Sequence, residues 1–80
     1  MKLPRDLDAR QLIQALAKLG YHATRQTGSH IRLACSAPTP HVSTVPNHSP
    51  IKPGALSAIL PEVAAHHRIE KSTLIDKLFD

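Results

Sequence analysis

The spacing of the apolar residues changes twice along this 80-residue chain, and the two changes restrict its architecture more than any single residue does. From Asp8 to Leu19 the apolar positions Leu12, Ile13, Leu16 and Leu19 recur at helical spacing, with Asp6 or Asp8 placed to cap the start and Gly20 to end it. Beyond Gly20 the pattern alternates: Ile31 and Leu33 interleave with His30 and Arg32. Tyr21 to Gln26 and Ser29 to Ala34 are therefore read as two strands of a hairpin turning near Gly28. Cys35 to Pro40, rich in Pro, Ser and Thr, reads as a surface loop, and His41 to Val45, closed by Pro46, as a third strand.

Past Pro53 the helical spacing returns, with Leu56, Ile59 and Leu60 on one face. Pro61 has no amide to donate and predicts a break or kink before Val63 to His67. Leu74, Ile75 and Leu78 then predict a short helix over Ser72 to Phe79, too brief to hold unless docked. The fold class that follows is α+β: a three-stranded antiparallel sheet in the order α-β-β-β-α, with its helices on one face. One domain is expected, a core over 1–61 and a C-terminal helical extension over 62–80. If Ile31 and Leu33 face the helices, His30 and Arg32 face the open side.

Composition removes several classes of function. Cys35 is the only cysteine, so no internal disulfide forms, and no apolar run approaches the ~20 residues that span a bilayer. The start carries a basic residue but no apolar stretch behind it, unlike a secretory signal, so the cytoplasm is the expected location. Tyr21 and Phe79 are too few for a platform that stacks single-stranded bases.

Ten Lys and Arg stand against six Asp and Glu, a net charge of +4, and their placement says more than their sum. Between Asp8 and Glu62 there is no acidic residue, while Arg10, Lys18, Arg25, Arg32, Lys52 and four of the six histidines fall there. Such a surface attracts polyanions, nucleic acid above all. A basic surface also serves simply to keep a small domain dissolved, so charge alone leaves both readings open.

Among the histidines, His30 has the most telling setting. It follows Gly28 and Ser29 at a strand start, with Arg25 in the facing strand and Arg32 two positions on. Neighbouring cations disfavour an imidazolium and a bound phosphate favours it, which suits acid-base work beside a phosphodiester. Cutting RNA in this way takes a base for the 2′-hydroxyl, an acid for the departing 5′ oxygen and a cation for the phosphoryl oxygens. His48, in the loop after the third strand, is the second candidate. Adjacent residues on a helix point about 100° apart, so His66 and His67 cannot easily share a metal. With no Cys-pair or His-Glu-x-x-His spacing, neither a metal site nor a cofactor is expected. Ser29 as a nucleophile lacks an acidic third member nearby.

Several blocks taken together carry a resemblance: Gly20-Tyr21, Arg25-Gln26-Thr27-Gly28-Ser29-His30, Val42 to His48, Ile51 to Leu56 and Ile59-Leu60. In this order and spacing they resemble the HicA family of small bacterial toxins over essentially the whole chain. The resemblance implies an endonuclease that cuts messenger RNA and inhibits translation, held inactive by a HicB-type antitoxin, on a fold similar to a double-stranded RNA-binding domain. It maps the catalytic histidine onto His30, with Gly28 as the turn before it. Arg25, Ser29, Arg32, His48 and Lys52 are the candidate RNA contacts, although the resemblance carries no catalytic role onto His48. Pro61 departs from a stretch the family usually keeps helical. A non-catalytic RNA-binding or protein-binding module remains the alternative.

Overall fold

In the computed structural model, which describes residues 3–79, helix α1 (Ala9–Leu16) starts at a reciprocal cap. The Gln11 amide donates to the Asp8 carboxylate at 2.7 Å, and the Asp8 amide donates to the Gln11 side-chain oxygen at 3.0 Å. Of the two expected caps, Asp8 is therefore the one used, and two amides that the helix itself cannot satisfy find partners. The chain tightens into a 3-10 turn (Ala17–Leu19) and stops at Gly20, whose φ of 91° only glycine adopts without cost. Gly20 N–H donates to Ala17 O at 3.0 Å and Tyr21 N–H to Leu16 O at 3.3 Å, the paired bonds of a Schellman ending.

Three antiparallel strands follow in spatial order β1 (His22–Thr27), β2 (His30–Cys35), β3 (His41–Pro46). Gly28 and Ser29 form a two-residue turn between β1 and β2, and φ is positive only at Gly28, the pattern of a type II′ hairpin. Two ends differ from the sequence reading. Tyr21 lies before β1 and is buried, and Cys35 is not in the loop but closes β2 opposite His41, also buried.

Helix α2 (Pro53–His66) runs through Pro61 without the expected break, so residue 61 falls inside a helix and not at an edge of the core. Pro61 and Ser57, whose carbonyl loses its partner, are both exposed, so water can satisfy that carbonyl on the solvent side of the helix. The helix ends at Arg68 instead: Ile69 N–H donates to Ala64 O at 3.0 Å and Arg68 N–H to Ala65 O at 3.2 Å, a second Schellman motif. Here the left-handed position, φ 58°, belongs to an arginine. The C-terminal helix α3 (Lys71–Phe79) docks on α1 and α2 through Leu74, Ile75 and Leu78. Lys18 Nζ donates to Leu78 O at 2.8 Å, putting a cation at the negative end of α3. The domain limits expected at 1 and 80 lie outside the described residues.

Helices α1 and α2 cover one face of the sheet, and α3 packs against both of them. Leu12, Leu16, Leu33, Val45, Leu60, Val63, Leu74, Ile75 and Leu78 are the side chains fully removed from solvent between them.

Two substitutions test this local reading by urea denaturation. Asp8→Ala is expected to lower stability by about 1 kcal/mol through loss of the cap. The left-handed region costs an L residue roughly 1–2 kcal/mol, and glycine's greater unfolded-state freedom takes back about 0.5–1. Arg68→Gly is therefore expected to stabilise by up to about 1 kcal/mol, and a destabilisation would show that the Arg68 side chain contributes more than its backbone costs.

Candidate functional site

The central strand sorts the side chains of the open face. On β2, Leu33 and Cys35 are buried and Ile31 is half-buried toward the helices, which leaves His30, Arg32 and Ala34 outward. Register extends this face into three cross-strand rows. His30 lies between Thr27 and Pro46, Arg32 between Arg25 and Thr44, and Ala34 between His22 and Val42. His30 and Arg32 are about 7 Å apart along the strand, and both are exposed, as is Arg25. No Asp or Glu occurs anywhere between Asp8 and Glu62, so no carboxylate from the strands or their turns neutralises this face. Arg25 directly opposite Arg32 is a like-charge pair, an arrangement that works against the sheet unless an anion bridges it.

The loop that carries His48 is fastened to the same end of the sheet. Asn47 N–H donates to Ser29 O at 2.6 Å, His48 N–H to Pro46 O at 2.9 Å, and His48 O accepts from Ala9 N–H at 3.1 Å. His30, Ser29 and His48 thus belong to one corner, where the hairpin turn meets the end of β3, and all three are exposed. Gly28 makes the turn that presents Ser29 and His30. Lys52 is different: it precedes the first turn of α2 and belongs to the helical layer, exposed, not to the rows of the sheet.

His22 and Thr44 join the open face without having been singled out from the sequence. Thr44 was accessible to simple alternation on β3. His22 was not, because it stands three residues before Arg25 and strict alternation would send the two to opposite faces. The register shifts between Ala23 and Arg25, and this bulge at Thr24 brings both onto one side. The Thr24 hydroxyl donates to Arg32 O at 3.3 Å across the irregularity.

The far end of the sheet, where Cys35 pairs with His41, holds a second group of polar side chains. The Tyr21 hydroxyl lies 2.7 Å from His41 Nδ1 and 3.1 Å from His67 Nε2. His41 Nε2 donates to Glu62 Oε1 at 3.3 Å, and His66 Nε2 to Thr39 O at 2.9 Å. The His41 and His66 rings stack 4.2 Å apart, and the His66 and His67 rings meet edge to face at 89° with their centroids 5.0 Å apart. Burial, then the adjacent Cys35, raises the Tyr21 hydroxyl above its ordinary pKa. Burial, then His66 and His41, lowers that of His67. Sequence spacing gave no sign of this cluster, because its members come from β2, β3, α2 and the residue before β1.

Among the described residues no helix is long and apolar enough to cross a membrane. No curated protein and no solved structure matches the chain. Residues 9–64 match the family model for the HicA toxin of bacterial toxin-antitoxin systems. That span takes in α1, all three strands and α2 almost to its end, hence every residue of the open face, and the chain belongs to the HicA toxin family.

Proposed function

We propose that this chain is the toxin of a cytoplasmic toxin-antitoxin pair, an endoribonuclease that needs no metal for cleavage, cuts messenger RNA and so stops translation. The observation that carries this reading is the pair of neighbouring exposed rows that hold His30 and the Arg25–Arg32 pair, on a sheet face to which the strands and their turns bring no carboxylate. A phosphodiester seated there relieves the repulsion between Arg25 and Arg32 and comes within reach of an imidazole. Family membership supports the toxin role and an antitoxin partner.

His30 in its neutral form takes the proton of the ribose 2′-hydroxyl. The 2′ oxygen attacks phosphorus, the bond from phosphorus to the 5′ oxygen breaks, and an acid returns a proton to the departing oxygen. The products are a 2′,3′-cyclic phosphate and a 5′-hydroxyl, and no metal is needed for the proton balance. Arg25 and Arg32 hold the phosphoryl oxygens and offset the charge that grows on them. Ser29 and His48 contact the RNA around this point, Lys52 meets a phosphate further along from the helical layer, and His48, on its fastened loop, is the candidate acid. Gly28 shapes the turn and touches no substrate.

The antitoxin, of HicB type, covers this same face. An interface of about 800 Å² per partner would occupy most of one side of a sheet this small. Acidic groups on the antitoxin would take the place of phosphates on Arg25 and Arg32 and speed association at low salt. RNA and antitoxin then exclude one another.

Cleavage is tested with purified protein on defined RNA in chelator, at a temperature where circular dichroism shows the fold intact. Wild type is expected to cut and His30→Ala to lose about 10² to 10⁴ in rate. A substrate with deoxyribose at the cleaved position should bind and resist cutting. Comparable cleavage of that substrate would exclude attack by the 2′-hydroxyl. If wild type and His30→Ala bind RNA equally and neither cuts, the chain is a binding module and not a nuclease. His48→Ala should cost less than His30→Ala, and an equal loss would make His48 the acid.

Binding is tested by salt titration. Arg25→Ala and Arg32→Ala should each weaken RNA binding to a similar degree across sequences and reduce the dependence on salt by about one phosphate contact. Unchanged slopes in both would move the RNA to another surface.

A further inference from the structure

The geometry points to a zinc site at the end of the sheet away from His30, with Cys35, His41 and His66 as its protein ligands. Their donor atoms all lie within 4.8 Å of one another, on three elements that packing already holds together: the last residue of β2, the first of β3 and the last of α2. One thiol and two imidazoles form a borderline-soft set that suits zinc and not magnesium or calcium. The inference stands apart from the RNA reading, because His30 and Cys35 are at opposite ends of β2, about 17 Å apart.

What distinguishes this group from a chance gathering of side chains is how the outer nitrogens are engaged. His41 Nε2 faces the Glu62 carboxylate at 3.3 Å, and His66 Nε2 faces the Thr39 carbonyl at 2.9 Å. Both partners accept hydrogen bonds only, so a neutral ring at either position places its proton on Nε2 and leaves the lone pair of Nδ1 for a metal. A carboxylate on one histidine and a backbone carbonyl on the other are the partners that orient metal-binding imidazoles and raise their basicity. The Nδ1 of His41 meets the Tyr21 hydroxyl, at 2.7 Å, and that hydroxyl has a second partner in His67 Nε2 at 3.1 Å. Zinc at His41 therefore displaces one of the two hydrogen bonds of Tyr21 and leaves the other, with His67, in place. Tyr21 and His67 become supporting residues, and neither is left with a buried group unpaired.

Two adjustments accompany binding. Donors sharing one tetrahedral zinc, with bonds of about 2.0–2.3 Å, lie roughly 3.3–3.6 Å apart, so the three side chains close by about 1 Å. The His41 and His66 rings, now 15° from parallel, must open from their stack so that both lone pairs converge. His66 is in the last turn of α2 and half-buried, so its torsions give this freedom. The thiol gives up its proton to solvent as the sulfur takes the metal, and water fills the fourth position.

The full chain, stripped with chelator and dialysed, is titrated with zinc chloride by calorimetry and with cobalt(II) by absorption. One equivalent of zinc is expected. Because Cys35 is the only cysteine, a thiolate-to-cobalt charge-transfer band in the wild-type protein reports this residue without any mutation. Cys35→Ser and His66→Gln, checked for fold by circular dichroism, should each weaken zinc binding at least about tenfold. Glu62→Gln, which alters only the partner of His41, should weaken it by about 10- to 100-fold. His22→Gln, on the open face, should leave it unchanged. Absence of a stoichiometric zinc heat, absence of the charge-transfer band, or binding that persists through Cys35→Ser and His66→Gln would each overturn the site.

Discussion

A three-stranded sheet in a chain this short has one face that its helices can cover, and Leu33 decides which one it is. It sits at the middle of the central strand, fully removed from solvent, with Ser43 and Ala23 as its cross-strand neighbours. With Leu33 inward, alternation sends Arg32 and Ala34 outward on either side of it, and His30 outward at the strand start. A register slip of one residue would bury the guanidinium and the imidazole beneath α1 and α2, at a desolvation cost that the small aliphatic core could not offset. The position of the basic face is thus a consequence of the apolar one.

The parts that were legible in the sequence are those governed by local periodicity and local chemistry. The Asp8 cap, the glycine endings at Gly20 and Gly28, the three strands and the outward direction of His30 and Arg32 all follow from neighbours within a few residues. What was not legible depends on tertiary partners. Pro61 argues locally for a break, yet it sits on the exposed side of α2, where the carbonyl it leaves unpaired meets water. Cys35 reads as loop beside its Pro- and Ser-rich successors, but pairing with His41 draws it into β2 and the core. The bulge at Thr24 shifts the face of every β1 residue before it, so His22 could not be assigned until the register was seen.

The six histidines show how differently one residue type is used at the two ends of a single sheet. His22, His30 and His48 are exposed, and the first two stand in cross-strand rows on the open face, where an imidazole can exchange protons with a bound molecule. His41, His66 and His67 engage Tyr21, Glu62, Thr39 and one another. Exposure at one end and mutual satisfaction at the other follow from where α2 ends: its last turn reaches the Cys35 and His41 pair and leaves the hairpin corner bare.

The basic residues of the open face also bear on a problem that every small open sheet has. Both β1 and β3 are edge strands, each offering unpaired backbone groups to a second copy of the chain, and all six residues of β1 are exposed. Charged side chains and proline are the usual means of blunting such edges, and the chain has Arg25 on β1 and Pro46 at the end of β3. Two copies approaching edge to edge through β1 would bring their Arg25 residues together in a stretch with no carboxylate to separate them. The same absence of acid between Asp8 and Glu62 that makes the open face basic thus also sets like charge where the β1 edges of two copies would meet.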